Sequence, residues 1–202
     1  TSGTITGNVV LGNATATLNL GTGAVSGTIN STGSAGGILN FTASNTIGGN
    51  IGGTDGNTSL TTITVQDGAT VTAGTNTIRA TTLNVGTVAS GAAASGRLTL
   101  GGGAYNVTTT NLTGATSIFD GANSAITGNL VLKNAGSTVN LGTGTVTGTI
   151  NSLSSAGGIL NFTASNTLGG NIGGVDGTTS LTTITVNDGT TVTAGTNTIR
   201  AT

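Results

Sequence analysis

The eleven residues GGILNFTASNT occur at Gly36–Thr46 and again, letter for letter, at Gly157–Thr167. Subtracting Gly36 from Gly157 gives an offset of 121, and the same offset separates Arg79 from Arg200. Gly7–Thr81 aligns on Gly128–Thr202 without a gap. The differences are mild: Ile47 becomes Leu168, Gln66 becomes Asn187 and Ala69 becomes Thr190. Such swaps keep side-chain class and suggest one fold copied. We read 1–202 as one continuous segment of a longer repeat protein. The long repeat covers 7–127, and 128–202 is a partial second copy that stops before ATTLNVG (Ala80–Gly86) recurs.

A finer rhythm runs inside the long repeat. Short apolar-x-apolar words read LNL (Leu18–Leu20), LNF (Leu39–Phe41), ITV (Ile63–Val65), LNV (Leu83–Val85) and LTL (Leu98–Leu100). Subtracting successive starts gives steps of 21, 24, 20 and 15. SIF (Ser117–Phe119) follows, and VNL (Val139–Leu141) restarts the series. Six words divide the period of 121 into units of about 20 residues, a solenoid-like spacing.

Apolar-x-apolar is strand periodicity, because successive side chains point to opposite faces. Helix is disfavoured: apolar positions do not recur at three and four, Thr and Val favour strands, and 38 Gly would weaken any helix. All five acidic residues are Asp, and each precedes Gly: Asp55, Asp67, Asp120, Asp176 and Asp188. Asp-Gly is a turn signal, so all five are expected in turns. The absence of Pro suits strands that need every N–H for a ladder.

The expected fold is therefore all-β, a parallel β-solenoid of about ten coils of roughly 20 residues. At about 4.8 Å per coil such a rod is about 48 Å long. Leu, Ile, Val and Phe fill the interior, with Phe41 and Phe162 at inward positions and Tyr105 at a corner or the core edge. Asn of LNL, LNF, LNV and VNL points outward or forms a ladder of amide hydrogen bonds. A single coil buries too little to offset its ordering, so coils must shelter one another. A β-sandwich or barrel, with the long repeat as two tandem domains, is the competing architecture.

Composition narrows the function. Only 4 % of residues are charged, against a usual quarter, and the net charge is −1. Four cationic residues, Arg79, Arg97, Lys133 and Arg200, are scattered, which argues against nucleic acid as a partner. A neutral surface offers little repulsion to lateral or end-to-end self-association. No apolar run is long enough to span a bilayer as a helix. Without His or Cys the common nucleophile–base pairs are missing, so no catalytic residue is assigned and no enzyme is expected.

Three weaker motifs compete with structural roles. GGNIGGTDGNTSL (Gly48–Leu60) and its copy at Gly169–Leu181 have the Gly/Asp flavour of calcium-binding nonapeptides, but one Asp per stretch is too few for a metal site. Thr tracts such as TTITV could form an ice-binding face only if the same pair recurred on every coil. Paired carboxylates on a solenoid could act on polysaccharide, yet each Asp reads as a turn former. No metal-binding or cofactor-binding residue is assigned, and no cofactor is expected.

LTTITVQDGATVTAGTNTIRATTLNVG, SIFDGANSAITGN and GGNIGGTDG resemble the passenger regions of bacterial autotransporter surface proteins, notably the large surface antigens of rickettsia-like bacteria. The resemblance covers nearly the whole chain and carries no motif by which a functional residue can be assigned. It implies a right-handed β-helix exported through the outer membrane and displayed extracellularly on the bacterial surface. It further implies a structural or adhesive role as a rigid stalk or coat, with neighbouring repeats and a host or surface receptor as partners. A self-assembling extracellular filament or surface layer is the alternative.

Overall fold

The computed structural model describes residues 3–33, 36–53, 59–87, 95–153, 157–174 and 180–202. Among them lie twenty strands and no α-helix. Every strand pairing is parallel. Parallel neighbours cannot be joined by tight hairpins, so the chain winds and each strand stacks on its counterpart one turn away. The architecture is the parallel β-solenoid, with one continuous core rather than two tandem domains.

Three ladders run along the solenoid. The first joins Val9 to Ile29, Ile51, Ile78, Tyr105, Ile126, Val146 and Leu168 in turn. On the second, Leu18, Leu39, Ile63 and Leu83 are followed by Thr110, Leu130, Ile150, Ile172 and Ile199. The third is an eight-stranded sheet in which Val71, Leu98, Phe119, Val139, Leu160 and Ile184 stack in register. The first two ladders join where single strands, Ile78–Val85 and Tyr105–Leu112, serve both.

The eight strands of the third ladder mark seven turns, so the coils are fewer and longer than the ten expected. Along this ladder the step in residue number runs from 20, between Phe119 and Val139, to 27, between Val71 and Leu98. The overcount has a specific origin. The words at Leu18, Leu39, Ile63 and Leu83 stack on the second ladder, but those at Leu98, Ser117 and Val139 belong to the third. The short step from Leu83 to Leu98 therefore moves from one ladder to the next within the same coil.

The long repeat follows from this. Five turns on the second ladder separate Leu18 from Leu130, and Val139 sits one ladder further on. The long repeat thus spans five and one-third turns. Its second copy is displaced by one ladder throughout: Val25 on the third corresponds to Val146 on the first, and Ile29 on the first to Ile150 on the second. Three-ladder coils tolerate this displacement because all three faces want the same alternation of buried and outward residues.

Local chemistry explains the verbatim GGILNF segments. Gly36 has φ 75° and Gly37 φ 138°, values that side-chain-bearing residues rarely adopt. A Cβ on Gly37 would lie 2.7 Å from Leu11 Cβ, and one on Gly158 would lie 2.8 Å from Leu132 Cβ. Thr61 Oγ1 accepts from the Gly37 N–H at 3.3 Å, and Thr182 Oγ1 repeats this with Gly158 at 3.2 Å. Glycine is required in both copies because the neighbouring coil leaves no room.

Two residues sit elsewhere than expected. Tyr105 belongs to the core, at 1 % exposure, and meets Phe119 edge-on at a centroid distance of 5.2 Å. Its hydroxyl makes a buried 2.5 Å hydrogen bond with Thr110 Oγ1. Asp120 is not a turn residue: it ends the strand Ile118–Asp120, and the turn comes later, at Ala122 with φ 43°. The Ser124 N–H closes that turn on the Gly121 carbonyl. Asp67 and Asp188 do occupy turns, whereas Asp55 and Asp176 lie outside the described residues.

Candidate functional site

The outward surface carries the chemistry this chain has to offer. Its most developed polar feature is a row of side chains on the third ladder. Asn161 Nδ2 donates to Asn140 Oδ1 at 2.9 Å, and Asn140 Nδ2 donates to Asp120 Oδ1 at 2.5 Å. Asp120 Oδ2 in turn accepts from Arg97 Nε at 2.7 Å. Thr99 Oγ1 reaches the same oxygen at 3.4 Å. Each member lies one turn from the next, so the row crosses four coils. On the second ladder Asn40 donates to Asn19 at 2.8 Å, and Asn111 donates to Asn84 at 3.0 Å. These are the expected amide ladders. Asp120 joins one of them because a carboxylate accepts where an amide oxygen would.

Sequence reasoning missed the Arg97–Asp120 pair. Its separation of 23 in sequence is close to one coil, and that spacing is the signal that could have found it. Arg97 is half exposed, so the pair is a surface ion pair worth at most about 1 kcal/mol.

Shallow grooves lie on the outward faces of single ladders. One, of about 390 Å³, is lined by Gly23, Ala24, Ser44, Asn45, Thr46, Thr70 and Thr72. The corresponding stretch of the second copy lines another, of about 190 Å³, with Thr145, Ser165, Asn166, Thr167, Thr191 and Thr193. The pair is displaced between ladders as the repeat dictates. Both are neutral and rich in hydroxyls. Ser44 Oγ and Ser165 Oγ each accept a backbone N–H from the next coil at 3.0 Å. Asn45 and Asn166 donate inward, to the carbonyls of Gly21 and Gly142. Ser44 and Asn45, with their copies Ser165 and Asn166, are thus spent on coil-to-coil bonding.

Carboxylates are not gathered. Asp67 is engaged by the N–H of Thr87 at 3.0 Å and by its hydroxyl, and Asp120 by Arg97, Thr99 and Asn140. Among the described residues no group of three or more His, Cys, Asp or Glu could hold a metal ion. The calcium-like stretches have their Asp outside the described residues. Outward Thr-x-Thr pairs occur at Thr70–Thr72 and Thr183–Thr185 on the third ladder, but the four intervening strands carry other pairs, such as Arg97–Thr99 and Ile159–Asn161. Burial pushes the Tyr105 phenol well above its ordinary value, partly offset by the Thr110 hydrogen bond. That tyrosine faces the core and serves packing.

Among the described residues no helix is long and apolar enough to cross a membrane. No family model, curated protein or solved structure matches the chain.

Proposed function

We propose that this chain is part of a rigid, repetitive protein of the bacterial surface, acting as a stalk or coat segment with an adhesive outward face. The observation that carries the reading is the three-ladder solenoid with its displaced repeat. Each coil adds length at about 4.8 Å and buries its apolar residues on the next, so stiffness grows by copying text. Displacement by one ladder per copy spreads the outward amide rows and neutral grooves around the rod. A face rich in Asn and Thr with few charges suits weak, many-point contact with neutral polar partners better than steering of an ionic substrate.

Surface display is tested with antibodies raised against the folded chain and applied to intact cells of the source organism. Labelling that external protease removes supports the reading. Labelling only after the cells are broken open rejects it.

A further inference from the structure

Two of the sharper differences between the copies fall side by side. Gly12 becomes Lys133, and Thr32 becomes Leu153. The Lys133 N–H donates to the Leu112 carbonyl at 3.0 Å and the Leu153 N–H to the Leu132 carbonyl at 2.9 Å, so the two stack one coil apart at the end of the second ladder. The same bonding places Gln66, Gly86 and Thr113 earlier in this corner column. Gly86 leaves a gap in it, and no side chain could stand there: a Cβ would lie 2.4 Å from Ser117 Oγ and 2.7 Å from the Gly114 nitrogen. Beside the gap lies a groove of about 370 Å³, lined by Thr64, Asn84, Gly86, Thr87, Thr113 and Lys133. Its unspent groups are donors. Asn84 Oδ1 accepts from Asn111, but among the described residues Asn84 Nδ2, the Thr64 hydroxyl and the Lys133 ammonium have no partner. Leu153, beyond Lys133, is 53 % exposed.

We propose that this corner is a binding site for a carboxylate-bearing saccharide. The Lys133 ammonium takes the carboxylate, Asn84 Nδ2 and the Thr64 hydroxyl donate to sugar oxygens, and Leu153 packs on an apolar ring face. One positive charge matches a carboxylate, whereas a phosphate monoester carries nearly two negative charges at neutral pH. A peptide strand is poorly served, since the backbone N–H groups along the column are already given to the neighbouring coil. The site is the charged exception on an otherwise neutral surface. It rests on the adhesive reading for its setting, but binding by the purified chain and labelling of intact cells succeed or fail separately.

The test titrates the 202-residue chain with 3′-sialyllactose and with a glucuronate-containing hyaluronan tetrasaccharide by isothermal titration calorimetry, with lactose as the neutral control. At least one acidic sugar should bind saturably at one per chain, and lactose should bind about tenfold more weakly or worse, the loss of one charge-assisted hydrogen bond. Lys133→Gln should weaken binding of the acidic sugar by a similar factor. Leu153→Thr, which restores the residue of the first copy, should weaken it by a smaller one. Arg97→Gln, which removes a cation on the third ladder, should leave it unchanged. Circular dichroism of each variant establishes that it is folded. Saturable binding by neither acidic sugar, equal binding of lactose, indifference to Lys133→Gln, or an equal loss with Arg97→Gln overturns the proposal.

Discussion

Leu18 and Val139 hold the same place in the sequence repeat and different places in the fold. Leu18 stacks on Leu39 in the second ladder, whereas Val139 stacks between Phe119 and Leu160 in the third. A repeat of five and one-third turns is stable only where each face of the coil accepts the others' residues. The alternation of inward apolar and outward polar side chains provides that equivalence.

The glycine pair at Gly36 and Gly37 should be intolerant. Gly37→Ala places a methyl group against Leu11 at a strained φ, and the cost is expected at about 2 kcal/mol or more. Gly12→Ala, which meets nothing within 4 Å, should change stability by less than about 0.5 kcal/mol. Chemical denaturation of the two variants compares them directly.

Asn140 lies between Asp120 and Asn161 in their row and should matter more than the ends. Asn140→Ala removes bonds to both neighbours, at an expected cost of about 1–2 kcal/mol. Arg97→Ala should cost less than about 1 kcal/mol, since its guanidinium is half exposed. A double-mutant cycle between Asp120 and Asn140 should show coupling, and additive losses would mean that the row is not a unit.

Tyr105 and Thr110 form a buried polar pair whose members depend on each other. Tyr105→Phe leaves the Thr110 hydroxyl buried without this partner and should cost about 1–3 kcal/mol. Combining it with Thr110→Val should cost less than the sum of the single changes, read by equilibrium unfolding.

The same tyrosine predicts alkaline sensitivity. Its folded pKa is raised by burial, so the neutral form is the one the fold retains. The stabilisation is complete below the unfolded value of 10.0 and is lost as pH rises above it, because only the unfolded chain releases the proton. Stability should therefore fall above about pH 10, by up to about 1.4 kcal/mol per pH unit. Tyr105→Phe should remove that component, since the chain has one Tyr.

Strand words and parallel stacking were legible in the sequence because period-two alternation and a repeat of about 20 residues each have a direct physical cause. Ladder membership was not. Leu83–Val85 and Leu98–Leu100 look alike as words, yet one lies on the second ladder and the other on the third. Only the shortness of the step between them, less than any full turn here, separates a change of face from a change of coil. Asp120 misled for a related reason: Asp-Gly is a turn signal on average, but Arg97 and Asn140 on neighbouring coils hold this carboxylate in a strand. Tyr105 could not be placed because its hydroxyl partner, Thr110, becomes a partner only once the chain has turned inward.

Cysteine pairing tests the one-third-turn displacement most directly, since the chain has no Cys of its own. Asn84 and Asn111 are paired across adjacent coils of the second ladder, within the reach that a disulfide needs. Asn84→Cys with Asn111→Cys should oxidise rapidly and completely, while Asn84→Cys with Thr99→Cys should stay reduced. Rapid closure of the second pair and none of the first would mean that successive words stack one per coil, and the displaced-repeat solenoid would be wrong.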